Sequence, residues 1–182
     1  MNGAGRIVVI GVGNDLRRDD GAGPAVLARL GKLAPRDVEL MVSDGEPTDL
    51  VEAWTGASLA IVVDAMAGGP DRPGRLHRIV ACGHQPSPAE PGLAEPGPGE
   101  AGRAGQAAWL AEAKPGPASS HGLGLETAIG LSAALGRMPA RLVVHVVQGT
   151  DFGHGAGLSA PVAEVIDDLV AAVLAEIGPD RA

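Results

Sequence analysis

The residues Gly11-Val12-Gly13-Asn14-Asp15-Leu16-Arg17-Arg18-Asp19-Asp20-Gly21-Ala22-Gly23 set two adjacent carboxylates between pairs of glycines. Glycines directly after a strand let the backbone turn sharply and approach a ligand closely. A dinucleotide fingerprint would need a third glycine where Leu16 stands, and a phosphate-cradling P-loop would need Gly-Lys-Ser/Thr. Asp19 and Asp20 would instead repel phosphate, and they suit a cation or proton chemistry. The ordinary role of Asp at such a place is to cap a helix N-terminus. One of the two is expected to do that.

Two further residues are placed in the same way. Asp64 ends the apolar run Leu59–Asp64 and is expected to project at the carboxyl edge of a sheet. His121 begins a helix in the setting Ser119-Ser120-His121-Gly122-Leu123-Gly124. In open α/β sheets, sites form in the crevice beyond the carboxyl ends of the strands. Two carboxylates and an imidazole there make an open site for a borderline transition metal, with positions left for solvent or substrate. Each residue also has a plainer role: Asp64 as the cap of the next element, His121 as an ordinary first-turn residue. No Ser–His–Asp or Cys–His pairing is apparent, and no HExxH helix occurs. His77 and His145 fall in expected strands and read as structural, and His84 abuts a Pro/Gly-rich stretch. His154, in the glycine loop Gly153–Gly157, is a secondary candidate.

These positions need a scaffold. Arg6–Gly11, Val38–Ser43, Leu59–Asp64, Arg75–Ala81 and Leu142–Gln148 read as strands, the fourth as an edge. Asp20–Leu33, Glu46–Gly56, His121–Leu135 and Pro161–Ile177 carry apolar residues at helical spacing. The alternation predicts a three-layer α/β/α sandwich around a five-stranded, mostly parallel sheet. The short link from the third strand to the fourth suits an antiparallel edge strand. A single domain is expected over the 182 residues, interrupted at about 85–117 by a surface insertion with one helical turn around Gln106–Ala113. That stretch holds seven of the fifteen prolines, and so few apolar residues that it adds little to a core.

Composition narrows the function. Hydrophobic residues make up 45 % but aromatics only 2 %, so the core is built from Val, Leu, Ile and Ala. A net charge of −8 without a Lys/Arg run argues against a nucleic-acid partner. The lone Cys82 excludes an intramolecular disulfide and a cysteine-cluster metal site, and reads as a small hydrophobe. The N-terminal apolar run is too short for a membrane span and lacks signal-peptide architecture, so a cytoplasmic protein with no membrane partner is expected.

Four blocks in order resemble the hydrogenase maturation proteases, endopeptidases that trim the large subunit of nickel–iron hydrogenases. They are GVGNDLRRDDGAGPAV, Asp44-Gly45 followed by Val63-Asp64-Ala65, His121-Gly122-Leu123, and Gly155-Ala156-Gly157-Leu158-Ser159. The resemblance covers nearly the whole chain outside 85–117. It implies recognition of nickel already installed in the precursor large subunit, followed by removal of a short C-terminal extension. By position, the metal-contacting residues it implies are Asp20, Asp64 and His121, the nickel coming with the substrate. Asp44 matches a further acidic position, and Asp19 is left as the capping residue. A metal-anchored hydrolysis is expected, the cation polarising the scissile carbonyl or activating water while a carboxylate takes the proton, with nickel as mainly a recognition handle as the alternative. Asp44-Gly45-Glu46-Pro47-Thr48 replaces the commoner Asp-Gly-Gly-Thr, and the Pro/Gly-rich insertion is unusual for the family. The competing readings are a non-catalytic chaperone that holds the immature subunit, and another metal-dependent hydrolase on the same scaffold.

Overall fold

The computed structural model describes residues 5–67, 72–82 and 121–178, with the side chains of Cys82, His121 and Leu123 outside that set. The Pro/Gly-rich insertion, its expected turn at Gln106–Ala113 and His84 also lie outside the described residues.

Five strands form one sheet in the order β2-β1-β3-β5-β4. They are β1 (Ile7–Val12), β2 (Val38–Ser43), β3 (Leu59–Ala67), β4 (Leu76–Cys82) and β5 (Arg141–Gly149). The first, second, third and fifth run parallel, and β4 is the antiparallel edge against β5. The few residues between β3 and β4 are too short for a crossover, which forces the antiparallel pairing. Among the described residues the helices are α1 (Ala22–Leu30), α2 (Pro47–Trp54), α3 (His121–Ala134), α4 (Ala160–Glu164) and α5 (Ile166–Ile177), and a 3-10 turn at Arg18–Gly21 precedes α1. The expected three-layer α/β/α sandwich is therefore present.

Strand alternation sorts the core into two layers. Ile7, Val9, Ile61, Val63 and Val143 pack with Leu30, Leu169 and Val173 of α1 and α5. Val8, Ile10, Ala60, Val62 and Val144 pack with Leu50, Trp54, Leu125 and Ala128 of α2 and α3. Every residue of β1 is buried because the strand has a parallel neighbour on each side and helices on both faces.

α1 is shorter than the expected Asp20–Leu33, its first residues being taken by the 3-10 turn, and two further boundaries differ from the sequence expectation. β3 does not stop at Asp64 but continues to Ala67, paired with β5 as far as Gly149. The final helix is broken at Val165, whose φ of −101° and ψ of 1° divide it into α4 and α5.

Candidate active site

The site begins where β1 ends. Gly13 turns the chain with φ 127°, and a Cβ there would collide with the carbonyl oxygen of Asp20. Only glycine serves at that point. The Gly13 amide donates to the carbonyl of Ser43 at 2.9 Å, tying the turn to the end of β2. Asn14 then organises the loop from both ends: its side-chain oxygen accepts the Leu16 amide at 2.9 Å, and its own amide donates to Asp20 Oδ2 at 3.2 Å. Asn14 is not among the residues expected from the sequence to shape the site. Its signal was visible, since Asn after glycine is a standard residue for side-chain-closed turns.

Asp20 is fully buried. Its 3-10 turn packs against β3, and the start of α1 is equally close. A Cβ on Gly23 would lie 2.8 Å from the carbonyl oxygen of Val63, the residue before Asp64. Asp64 itself is 5 % exposed and sits at a specific break in the sheet. The last pair between β1 and β3 is Gly11 with Val63, so Asp64 is the first β3 residue without a β1 neighbour. It shares its face with Ala60 and Val62, the face covered by α2 and α3. Its Oδ1 accepts the amide of Ala65 at 2.7 Å. Asp64 is thus a buried acid inside a strand rather than a strand terminator, and it still projects at the carboxyl edge because β1 has ended.

The other two candidates lie where α2 and α3, the helices covering that face, begin. Asp44 follows β2, is exposed, and accepts the Glu46 amide at 3.3 Å in a turn that leads into α2. Ser43 Oγ accepts the amide of Gly45 at 3.1 Å. His121 is the first residue of α3. Three residues on, Gly124 backs directly onto the carbonyl oxygen of Gly45, where any Cβ would collide. The N-terminal turn of α3 is therefore seated on the Asp44–Gly45 loop. Trp54 of α2 reinforces this contact deeper in the core by donating from Nε1 to Ser132 Oγ of α3 at 2.9 Å.

Asp19 takes a different role from the one expected. Neither acid caps α1, whose N-cap is Gly21 without a side-chain hydrogen bond. Asp19 Oδ2 instead accepts the amides of Thr150 and Asp151 at 2.8 and 3.0 Å and the Ser159 hydroxyl at 2.9 Å, and Oδ1 accepts the Ser159 amide at 2.7 Å. Ser159 is the N-cap of α4, so Asp19 caps at long range and closes the loop after β5. Burial alone would raise the Asp19 pKa, but the hydrogen bonds from Thr150, Asp151 and Ser159 together outweigh it and hold the carboxyl below its ordinary value.

Arg18 completes the clasp, with its amide on the Gly155 carbonyl at 2.9 Å and its Nε 3.1 Å from Asp151 Oδ2. It does so at φ 49°, a conformation costly for a side chain with a Cβ and sustained by these contacts. His154 lies exposed in the clasped loop.

The structure therefore gathers Asp20, Asp64, Asp44 and the backbone of His121 at one edge of the sheet, and leaves Asp19 as a structural anchor. Among the described residues no group of three His, Cys, Asp or Glu side chains is placed to hold a metal ion. The His121 imidazole is outside that set, whereas Asp20 and Asp64, the other two residues expected from the sequence to contact a metal, lie within it. Both are hard oxygen ligands, and an imidazole would shift the preference toward a borderline metal.

The fold is shared with solved structures of named endopeptidases. The hydrogenase maturating endopeptidase HybD from E. coli superposes with a TM-score of 0.72 at 21 % identity, covering 94 % of this chain and 91 % of its own. An endopeptidase from Escherichia coli solved in solution gives 0.72 at 22 %, covering 95 % and 94 %. The [NiFe] hydrogenase maturation protease HybD from Thermococcus kodakarensis gives 0.63 at 18 %, covering 93 % and 97 %. No protein-family model and no curated protein sequence matches the chain.

Proposed function

We propose that the protein is a hydrogenase maturation endopeptidase that removes the C-terminal extension of a nickel-loaded nickel–iron hydrogenase large-subunit precursor. The observation that carries this reading is the convergence of Asp20, Asp64, Asp44 and the α3 N-terminus on one sheet edge. That edge belongs to a fold matched over nine-tenths of its length by hydrogenase maturating endopeptidase HybD.

Nickel enters as part of the substrate. Asp20, Asp64 and His121 are the ligands this chain would add to those the precursor already supplies. Three protein donors leave coordination positions for a substrate or water. Held there, the cation would supply Lewis-acid polarisation of the scissile carbonyl. This chain's contribution is to hold two carboxylates out of bulk water against a fixed backbone, where one of them takes the proton of the attacking water. Asp44, exposed beside them, contacts the incoming peptide.

The test incubates the protein with nickel-loaded and with nickel-free precursor and follows the precursor mass. Loss of the C-terminal extension from the nickel-loaded form alone supports the reading. Equal cleavage of both refutes nickel recognition. A stable complex without cleavage points to a chaperone.

A further inference from the structure

The outer edge of β2 leads directly into the candidate site. Among the described residues β2 pairs only with β1. The Ser43 carbonyl accepts the Gly13 amide on the β1 side. Backbone groups of successive strand residues point to opposite sides, so Ser43 and Met41 address β1 while Leu40 and Val42 turn their amides and carbonyls outward. Val42 is 56 % exposed although most strand valines of this chain are buried. Beside this edge runs a groove of about 550 Å³ lined by Met41, Val42, Ser43, Asp44, Asp49 and Glu52. Arg6 closes its far end with its charge already committed, since its guanidinium holds Glu39 at 2.6 Å and the Thr55 carbonyl at 3.1 Å.

We propose that this edge binds the substrate polypeptide as an added strand. Leu40 and Val42 supply the backbone hydrogen bonds, and a cationic side chain of the peptide lies against Asp49 and Glu52. The inference rests on the peptidase reading and names how that site takes its substrate. A peptidase must hold its substrate extended, and an open strand edge does so without regard to sequence. Asp44 belongs both to the groove and to the site, so a peptide seated on β2 runs on toward Asp64. The occupant follows from charge. A second copy of this chain, at net charge −8, would bring acids to a groove lined by Asp44, Asp49 and Glu52, whereas a cationic peptide complements it.

The test uses the full chain and two synthetic probes, an acetylated and amidated octapeptide of alternating Thr and Val with one central Lys, and the same peptide with Glu in its place. Amide hydrogen exchange and NMR titration read binding without requiring cleavage. The Lys peptide is expected to slow exchange at Leu40 and Val42 about tenfold, with Met41 and Ser43 unchanged. The Glu peptide is expected to bind about tenfold more weakly. Val42→Pro removes an outward N–H and abolishes this binding, while Val42→Thr retains it. Should Val42→Pro fail to fold, N-methylation of alternate peptide amides serves the same purpose, with one register abolishing binding and the other not. Unprotected Leu40 and Val42 at saturating Lys peptide, or unimpaired binding by folded Val42→Pro, overturns the proposal. Cleavage of precursor without protection of this edge refutes strand addition alone. Protection without any cleavage of precursor refutes the peptidase reading alone.

Discussion

Asp19 and Ser159, 140 residues apart, are joined twice: the Ser159 amide meets Asp19 Oδ1 at 2.7 Å and its hydroxyl meets Oδ2 at 2.9 Å. The same carboxylate holds Thr150 and Asp151. One buried acid therefore fixes the loop after β1 to the loop after β5, the two rims of the sheet edge at which Asp20 is held.

Asp19→Ala leaves several part-buried donors without their acceptor and is expected to destabilise the fold by about 2 kcal/mol in urea denaturation at pH 7. Asp19→Asn, which keeps one acceptor, loses less. A loss under about 1 kcal/mol for the alanine variant would mean that the clasp is dispensable.

The Asp19 clasp also predicts an acid limb. The folded pKa lies below the ordinary 3.8, so the contribution is complete above that value and lost as pH falls through the folded value. Glu176 behaves alike. Its hydrogen bond from Arg78 at 2.6 Å lowers its pKa from 4.5, burial opposes this, and the charges of Arg78 and Arg141 add to the lowering. The acid limb should flatten in Asp19→Asn when stability is followed between pH 5 and pH 2.

A separate step is expected at higher pH. His145 lies 4.0 Å from Glu176 and is 3 % exposed. Burial lowers its pKa from 6.5, with Glu176 opposing and Arg78 assisting. The unfolded chain therefore takes up this proton first, and the stability from neutral His145 is complete above pH 6.5 and lost as pH falls through the folded value. His145→Leu should remove the slope that begins near pH 6.5, measured as Tm against pH. An unchanged slope would assign it elsewhere.

Gly124→Ala sets two effects against each other. Alanine improves helix propensity by about 1 kcal/mol, yet its Cβ would collide with the Gly45 carbonyl. The collision wins because its partner is backbone and cannot rotate away. The expected outcome is a folded protein with α3 displaced from the Asp44–Gly45 loop and precursor processing reduced at least about tenfold. Full processing would detach that contact from function.

Much of this was legible in the sequence, for physical reasons that can be named. The runs at Ile7, Val38, Leu59 and Leu142 are β-branched or apolar and bounded by turns, so their strands lie within three residues of expectation. Asp64 misled because a charged residue after five apolar ones looks like a strand end. Pairing with β5 alone carries the strand onward, and the acid stays buried. Asp19 misled because its partners lie far along the chain, and no local pattern announces a bond to Ser159. The edge exposure of Val42 depends on strand order, which composition does not encode. Nothing in the sequence marks the break at Val165.

The most direct test of the account replaces Asp64 by Asn, which keeps shape and removes charge. Processing of nickel-loaded precursor is followed by mass, beside Asp20→Asn and the wild type. The expected result is removal of the C-terminal extension by the wild type and at least a roughly hundredfold slower rate in each variant, with circular dichroism and Tm near those of the parent. Processing at the wild-type rate by folded Asp64→Asn would contradict it.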